Sequence, residues 1–236
     1  MSKQANRHGI TGRKETSVPD ERPRVLITGA CRGVGRACAE ALARCGTELI
    51  LCDNDASALS DTAQELGAVG RFCDVASEAS VAVFAADILE QFPVLDMVIN
   101  AAGGGYERTL GMYRVSRALL PALRRGTYNN LLLNIPPAGE DADAAIFPYA
   151  SSVQAFHRLS AALAAETRGT AISVLIGDPA SRRVSHVLPD PDAGALADMS
   201  EVRRTTETSI GTLASRVAAL IDAPPRAAVA GGRRAG

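Results

Sequence analysis

Short apolar segments alternate along the chain with longer segments in which apolar residues recur at helical spacing. A short segment that is apolar throughout is typical of a strand buried on both faces of a sheet. The predicted strands are Val25–Thr28, Glu48–Cys52, Arg71–Cys73, Met97–Asn100, Leu131–Ile135 and Ile172–Ile176. The predicted helices fall near 34–45, 56–66, 77–91, 110–125, 150–168 and 200–221.

This alternation predicts an α/β fold in which helices cover both faces of a parallel sheet, that is, a doubly wound sheet in a single domain. The domain is expected to span residues 23–222. Residues 1–22 are polar and non-periodic, so we expect a disordered tail there, and 223–236 are expected to form a loose C-terminal tail for similar reasons.

Composition restricts the classes of partner more than it restricts function. The 236 residues carry a net charge of −1, which gives no sign of a nucleic-acid or membrane partner. No apolar segment is long enough for a membrane span or a signal peptide, so a cytoplasmic location is expected. The chain has three histidines and five cysteines, and no two cysteines form a C-x-x-C pair. We therefore expect neither a metal site nor a disulfide framework.

A glycine-rich turn follows the first predicted strand and opens the first predicted helix. Gly29, Gly33 and Gly35 form the pattern G-x-x-x-G-x-G, with Arg32 and Val34 between them. Glycine allows a tight turn and a close approach of backbone to phosphate, and the helix start offers free N–H groups to an anion. The turn therefore predicts a pyrophosphate-binding site.

Three further polar segments lie where predicted strands end. Asp53 ends the second strand, where a carboxylate could accept hydrogen bonds from ribose hydroxyls. Asp74 and Val75 follow the third strand, and Asp74 is placed to meet an adenine edge. Asn100 ends the fourth strand, and the small residues Ala101 to Gly103 leave room for a cofactor.

In this order, these motifs resemble the short-chain dehydrogenase/reductase family, Rossmann-fold oxidoreductases that include the 3-oxoacyl carrier-protein reductases. The family pattern T-G-x-x-x-G-x-G matches Thr28–Gly35, D-V matches Asp74-Val75, and N-N-A-G matches Asn100–Gly103 with one change. The resemblance covers roughly residues 23–180. It implies binding of a nicotinamide dinucleotide at these positions.

The resemblance also implies a catalytic set, and most of that set is missing. In the family a tyrosine acts as general acid or base, and a lysine four residues later lowers its pKa and holds the nicotinamide ribose. Tyr149 matches the tyrosine, but Val153 stands at the lysine position. The family serine falls at Pro136 or Pro137, and the family asparagine falls at about Arg108.

Two functions stay open at this stage. The chain is either a cofactor-binding member without ordinary hydride transfer, with Tyr149 vestigial, or an active oxidoreductase in which Arg108 supplies the missing positive charge. For Arg108 itself, we favour the simpler explanation that it is a solvated charge at a helix start. The only lysines, Lys3 and Lys14, lie in the N-terminal tail and are poor substitutes for a catalytic lysine.

The choice of cofactor and the state of assembly are also predicted. Asp53 resembles the residue that selects NAD, whereas Arg32 resembles one that NADP enzymes use, and we favour NAD(H) over NADP(H) because a carboxylate repels a 2′-phosphate. Helices near 77–91 and 110–125 resemble family interface helices. A homodimer, or a hetero-oligomer with an active homologue, is therefore expected through apolar stripes at Ala85, Leu89, Val115, Leu119 and Leu123.

Overall fold

The computed structural model of the chain describes residues 22–136, 146–187 and 207–222. Both predicted tails lie almost wholly outside this part. The strands are β1 Arg24–Thr28, β2 Glu48–Asp53, β3 Val69–Phe72, β4 Met97–Asn100, β5 Leu131–Asn134, β6 Ser173–Asp178 and β7 Arg183–His186. The helices are α1 Gly33–Arg44, α2 Ala56–Leu66, α3 Glu78–Gln91, α4 Gly105–Leu123, α5 Ile146–Glu166 and α6 Glu207–Asp222.

The strands form one sheet in the order β3-β2-β1-β4-β5-β6-β7. The first six strands are parallel, as expected, but β7 runs antiparallel to β6 directly after a short turn. Chain order reverses between β1 and β4, so the loops after these two strands diverge and leave a crevice at their carboxyl ends. The glycine-rich turn and the segment after Asn100 both lie at this crevice.

Alternate positions along each central strand pack against opposite helical layers. Leu26, Val98 and Leu132 belong to one apolar cluster, which they share with α3, α4 and α5. Ile27, Ile99 and Leu133 belong to a second cluster, which they share with α1 and α6. Both faces of the sheet are therefore buried, which confirms the doubly wound α/β fold and explains why the strands are apolar throughout.

The free N–H groups at the helix starts have hydrogen-bond partners in some helices and not in others. The Asp55 side chain caps α2 by accepting from the Ala58 N–H, and the Ser77 side chain caps α3 by accepting from the Ser80 N–H. The residue before α1 is Arg32, whose side chain makes no capping hydrogen bond. The first turn of α1 therefore keeps N–H groups available to a ligand at the crevice.

The residues predicted to form the subunit interface are in the wrong place for it. Ala85, Val115, Leu119 and Leu123 are at most 5% exposed and belong to the chain's own apolar core. Leu89 packs against the same core. These stripes face the sheet because α3 and α4 form one of its covering layers. The expectation that they form a subunit interface was therefore wrong.

Candidate functional site

The glycine-rich turn after β1 packs closely on one side and is open on the other. Gly29 has φ +65°, and a Cβ there would meet the backbone of Ala102. A Cβ at Gly35 would overlap the Gly29 carbonyl, so these two glycines let α1 start directly against β1. A Cβ at Gly33, at φ +54°, would meet nothing within 4 Å. That open side of the turn leaves its backbone accessible to a ligand.

Val34 lies between these glycines, and its side chain packs against the apolar cluster beneath α1. Its side chain therefore anchors the start of α1, and the backbone of the turn is left to face the crevice. This is a structural role beside the cofactor contact predicted for Val34 from the sequence.

Asp53 is fixed by the turn that it faces. It is 6% exposed, and its Oδ2 accepts from the Cys31 N–H at 3.1 Å while its Oδ1 accepts from the Asp55 N–H at 3.2 Å. Sequence reasoning assigned Asp53 only to ribose and missed that it joins the turn to the end of β2. A carboxylate has about four lone-pair sites, so acceptor capacity remains for ribose hydroxyls.

Arg32 projects from the same turn toward the start of α2. Its Nη2 lies 3.4 Å from Asp55 Oδ2; the Arg32 side chain is largely exposed and that of Asp55 about half exposed. Burial first, and then the charge of Asp53, raise the pKa of the neighbouring Cys31 thiol to about 11. The turn thus holds one guanidinium beside two carboxylates.

Asp74 and Val75 lie in the loop from β3 to α3. Asp74 Oδ1 accepts from the Ala76 N–H at 3.1 Å, which makes a tight turn and fixes the carboxylate. Val75 is 5% exposed, and a Cβ at Gly111 would overlap its carbonyl. Gly111 therefore allows α4 to pack against this loop, a requirement that sequence reasoning missed.

Asn100 belongs to a buried polar network that joins the centre of the sheet to two helices. Its Nδ2 donates to Ser116 Oγ on α4 and to Asn134 Oδ1 on β5, both at 2.9 Å. Asn134 Nδ2 donates in turn to Ser160 Oγ on α5 at 3.1 Å. The side chain of Asn100 thus supports the elements around the crevice, and only its Oδ1 lacks a protein partner.

The segment after Asn100 runs across the crevice into α4. The Ala101 N–H donates to the Thr28 carbonyl at 3.2 Å, which holds the β4 end against the β1 end. Arg108 Nη1 donates to the Gly103 carbonyl at 3.0 Å, and the Arg108 side chain is exposed. Arg108 therefore donates a hydrogen bond to the backbone just before α4 begins.

The positions that the family resemblance matches to catalytic residues lie on α5 and just after β5. Tyr149 is in the first turns of α5, but its side chain falls outside the described part of the structure. Val153 is partly buried one turn later, and no lysine occurs among the described residues. Pro136 follows β5 and is partly buried, whereas Pro137 falls outside the described residues.

The fold and the open glycine-rich turn define a dinucleotide-binding α/β protein. Among the described residues, no group of three or more His, Cys, Asp or Glu side chains is arranged to hold a metal ion. No helix of the described part is long and apolar enough to span a membrane.

Comparison with known proteins assigns the family. The short chain dehydrogenase family model matches residues 23–110. The rhamnolipid-biosynthesis 3-oxoacyl-[acyl-carrier-protein] reductase of Pseudomonas aeruginosa is 31% identical over 201 residues, which cover 71% of this chain and 77% of the reductase. L-fucose dehydrogenase of Oryctolagus cuniculus is 30% identical, with 73% and 71% covered. The chain belongs to the short-chain dehydrogenase/reductase family of NAD(P)-binding oxidoreductases.

Solved structures show the same fold. The Pseudomonas aeruginosa RhlG/NADP active-site complex superposes with a TM-score of 0.65 at 26% identity, covering 83% of this chain and 88% of that one. A variant of actinorhodin polyketide ketoreductase with NADPH gives a TM-score of 0.63 at 25% identity, with 85% and 90% covered.

Proposed function

We propose that this chain binds a nicotinamide dinucleotide and has lost the ordinary hydride transfer of its family. It would act as a cofactor-binding sensor or as the silent subunit beside an active homologue. The observation that carries this proposal is the contrast between the two halves of the site. The glycine-rich turn is open and supported by Asp53, whereas an apolar side chain stands at Val153 where the family has lysine.

In the binding half, most of the predicted residues would have a direct role. The N–H groups at the start of α1 would hold the pyrophosphate over Gly33, with Gly29 and Gly35 allowing the close approach. Asp53 would accept from the ribose, and Asp74 would face the adenine. The small residues Ala101 and Gly103 would leave room at the ends of β1 and β4.

The reacting half retains Tyr149 but lacks the groups that would assist it in proton transfer. When bound, the dinucleotide would supply the hydride acceptor or donor. Valine at position 153 offers neither charge nor hydrogen bond to Tyr149, and proline at position 136 or 137 offers no hydroxyl to a substrate oxygen. Groups that act as one catalytic unit are strongly interdependent, so losing three of them, the lysine, the serine and the asparagine, removes most of the rate enhancement.

We infer that NAD(H) binds more tightly than NADP(H). The similar RhlG and actinorhodin ketoreductase structures hold NADP and NADPH, so this preference rests on the residues of this chain alone. Asp53 is buried and fixed by two N–H groups, and a 2′-phosphate would bring nearly two further negative charges toward it. The repulsion is strong where solvent is excluded.

The alternative function is an active oxidoreductase that uses Tyr149 and Arg108 on a carbonyl or alcohol substrate. The similar proteins named reductase and dehydrogenase favour this alternative. The hydrogen bond from Arg108 to the Gly103 carbonyl disfavours it, because the guanidinium already serves the start of α4.

Two glycines of equal backbone strain provide a matched binding test. Gly33 and Gly67 have φ of +54° and +61°, and a Cβ at either would meet nothing within 4 Å. Alanine should therefore lower stability similarly at both positions. Calorimetric titration with NADH should show at least about tenfold weaker binding for Gly33→Ala and unchanged binding for Gly67→Ala.

Turnover decides between the two functions. With a panel of ketones, aldehydes and alcohols, wild-type protein should oxidise or reduce no cofactor above the rate of a blank. Cofactor turnover that Arg108→Ala abolishes would establish the alternative. Absence of NADH binding, or equal weakening by both glycine substitutions, would contradict the binding proposal.

A further inference from the structure

Asp55 uses its two carboxylate oxygens for two different purposes. Oδ1 accepts from the Ala58 N–H at 3.1 Å and caps α2. Oδ2 lies 3.4 Å from Arg32 Nη2. Arg32 belongs to the glycine-rich turn and Asp55 to the start of α2, so this ion pair joins two loops at the crevice.

The ion pair closes a ring of polar contacts around one corner of the dinucleotide site. Asp53 accepts from the N–H groups of Cys31 and Asp55, Asp55 pairs with Arg32, and Arg32 follows Cys31 in the chain. The ring contains two carboxylates and one guanidinium, so its net charge is negative. Burial is the main cause of the raised pKa of the Cys31 thiol, and the charges of Asp53 and, more weakly, Asp55 add to it.

We propose that Asp55 is a specificity-determining residue that keeps Arg32 from binding a 2′-phosphate. This inference rests on the proposed function, because it concerns the adenosine end of the same site. Arg32 is the one guanidinium in the ring and could form a bidentate pair with phosphate. A 2′-phosphate would have to displace Asp55 from Arg32 and would then lie beside two carboxylates.

Asp55 provides a cleaner test of this role than Asp53. Asp53 is 6% exposed, and its replacement leaves two N–H groups without their acceptor. Asp55→Asn removes one charge and retains a side-chain oxygen that can cap α2, because asparagine is about as good an N-cap as aspartate. The fold of the variant is therefore expected to be preserved.

The experiment compares two ligands that differ only in the 2′-phosphate. ADP-ribose and 2′-phospho-ADP-ribose are titrated calorimetrically into full-length wild type, Asp55→Asn, and the double variant Arg32→Ala with Asp55→Asn. Asp55→Asn should bind 2′-phospho-ADP-ribose about tenfold more tightly than wild type, while its affinity for ADP-ribose changes less than about twofold. Adding Arg32→Ala should remove the gain.

Asp61→Asn is the matched control, since it makes the same change in net charge at an exposed position of α2. It should leave the ratio of the two affinities unchanged. The inference is overturned if Asp55→Asn binds 2′-phospho-ADP-ribose no more tightly than wild type, if Asp61→Asn gives the same gain, or if the gain survives loss of Arg32. Binding of neither ligand to any variant overturns the proposed function together with this inference, whereas cofactor turnover by wild type overturns only the loss of catalysis.

Discussion

At the scale of single residues, the side chains expected to bind cofactor also hold the protein together. Asp53 was predicted from its place at a strand end, and the structure adds that it ties the glycine-rich turn to α2. The strand end was visible in the sequence. The backbone N–H partners were not, because a sequence does not show which loop faces which side chain.

Replacing Asp53 should therefore affect stability and selectivity together. Asp53→Ala leaves the Cys31 and Asp55 N–H groups without their acceptor and should lower the free energy of unfolding by about 1–3 kcal/mol. The same variant should narrow the difference in affinity between NADH and NADPH. Urea unfolding and fluorescence titration measure the two effects. A variant as stable as wild type, or equal affinities in wild type, would contradict this account.

The lowered pKa of His157 predicts that the folded protein loses stability at acidic pH. Burial lowers the pKa of this histidine, and the charge of Asp178 offsets the effect only in part. The unfolded chain therefore binds a proton near pH 6.5, where the folded chain does not, so stability falls as pH decreases through 6.5 toward the lowered pKa. At higher pH both states are neutral at this position and the effect vanishes.

The corresponding measurement is the unfolding midpoint in denaturant between about pH 7.5 and pH 5, around the ordinary histidine pKa. His157→Gln should show a smaller decrease than wild type over this interval. An unchanged decrease in His157→Gln would show that another group causes the acid sensitivity.

Among the secondary-structure elements, the central strands of the sheet were predicted from the sequence, but the bounds of its edge strands were not. β3 covers Val69–Phe72 rather than 71–73, because it is an edge strand with half-exposed residues and no continuous apolar segment. α4 starts at Gly105, five residues before its predicted start, although glycine is unfavourable within a helix. The hydrogen bond from Arg108 and the close packing of Gly111 against Val75 support the helix in this position. Neither contact can be seen in the local sequence pattern.

Two helical glycines test the packing of α4. Gly111→Ala places a methyl group against the Val75 carbonyl and should lower the free energy of unfolding by about 2 kcal/mol or more. Gly211→Ala on α6 meets nothing within 4 Å and should raise it by up to about 1 kcal/mol, because alanine favours a helix over glycine. Urea unfolding gives both values, and effects of the same sign would contradict the packing described for α4.

Restoring the family lysine on α5 gives a further prediction. Val153→Lys introduces a charge at a partly buried position, and an unpaired buried ammonium is unfavourable. The melting temperature should fall without ligand and recover in part with NAD(H), whose ribose hydroxyls would offer partners. Val153→Met adds length without charge and should show no such recovery beyond the effect of NAD(H) on wild type.

Family-like turnover should require a further change, Pro136→Ser or Pro137→Ser, because the substrate oxygen still lacks a hydroxyl donor. A Val153→Lys variant whose stability does not respond to NAD(H) would mean that position 153 does not face the cofactor. The match of α5 to the family helix would then be wrong.

At the scale of the whole molecule, the fold was predictable because each motif lies at the carboxyl end of a strand in a doubly wound sheet. β7 was not predicted, since four exposed or half-exposed residues give no apolar signal. The polar network of Asn100, Ser116, Asn134 and Ser160 was also missed, because its members are far apart in sequence. The predicted interface failed because its apolar stripes fill the core of the single chain.

The oligomeric state stays a prediction. It now rests on membership of the family and no longer on the apolar stripes of α3 and α4. A homodimer or a complex with an active homologue would use exposed residues outside the stripe of Val115, Leu119 and Leu123. Light scattering of the full chain at tens of micromolar should give at least twice the mass of 24.5 kDa. A single-chain mass would contradict the homodimer and leave the complex with a homologue as the form to be sought by co-purification.

The most direct test of the central claim is the fluorescence of NADH with this protein, followed over time in the presence of carbonyl substrates. We expect the emission to exceed that of the same concentration of free NADH, and this enhancement to rise to saturation as NADH is added, because the turn and Asp53 bind the dinucleotide. At saturation the emission should then stay constant with time, because Val153 and the prolines after β5 provide no catalytic groups. Emission that decays as NADH is oxidised at rates ordinary for the family, or no enhancement over free NADH at any concentration, would contradict the proposed function.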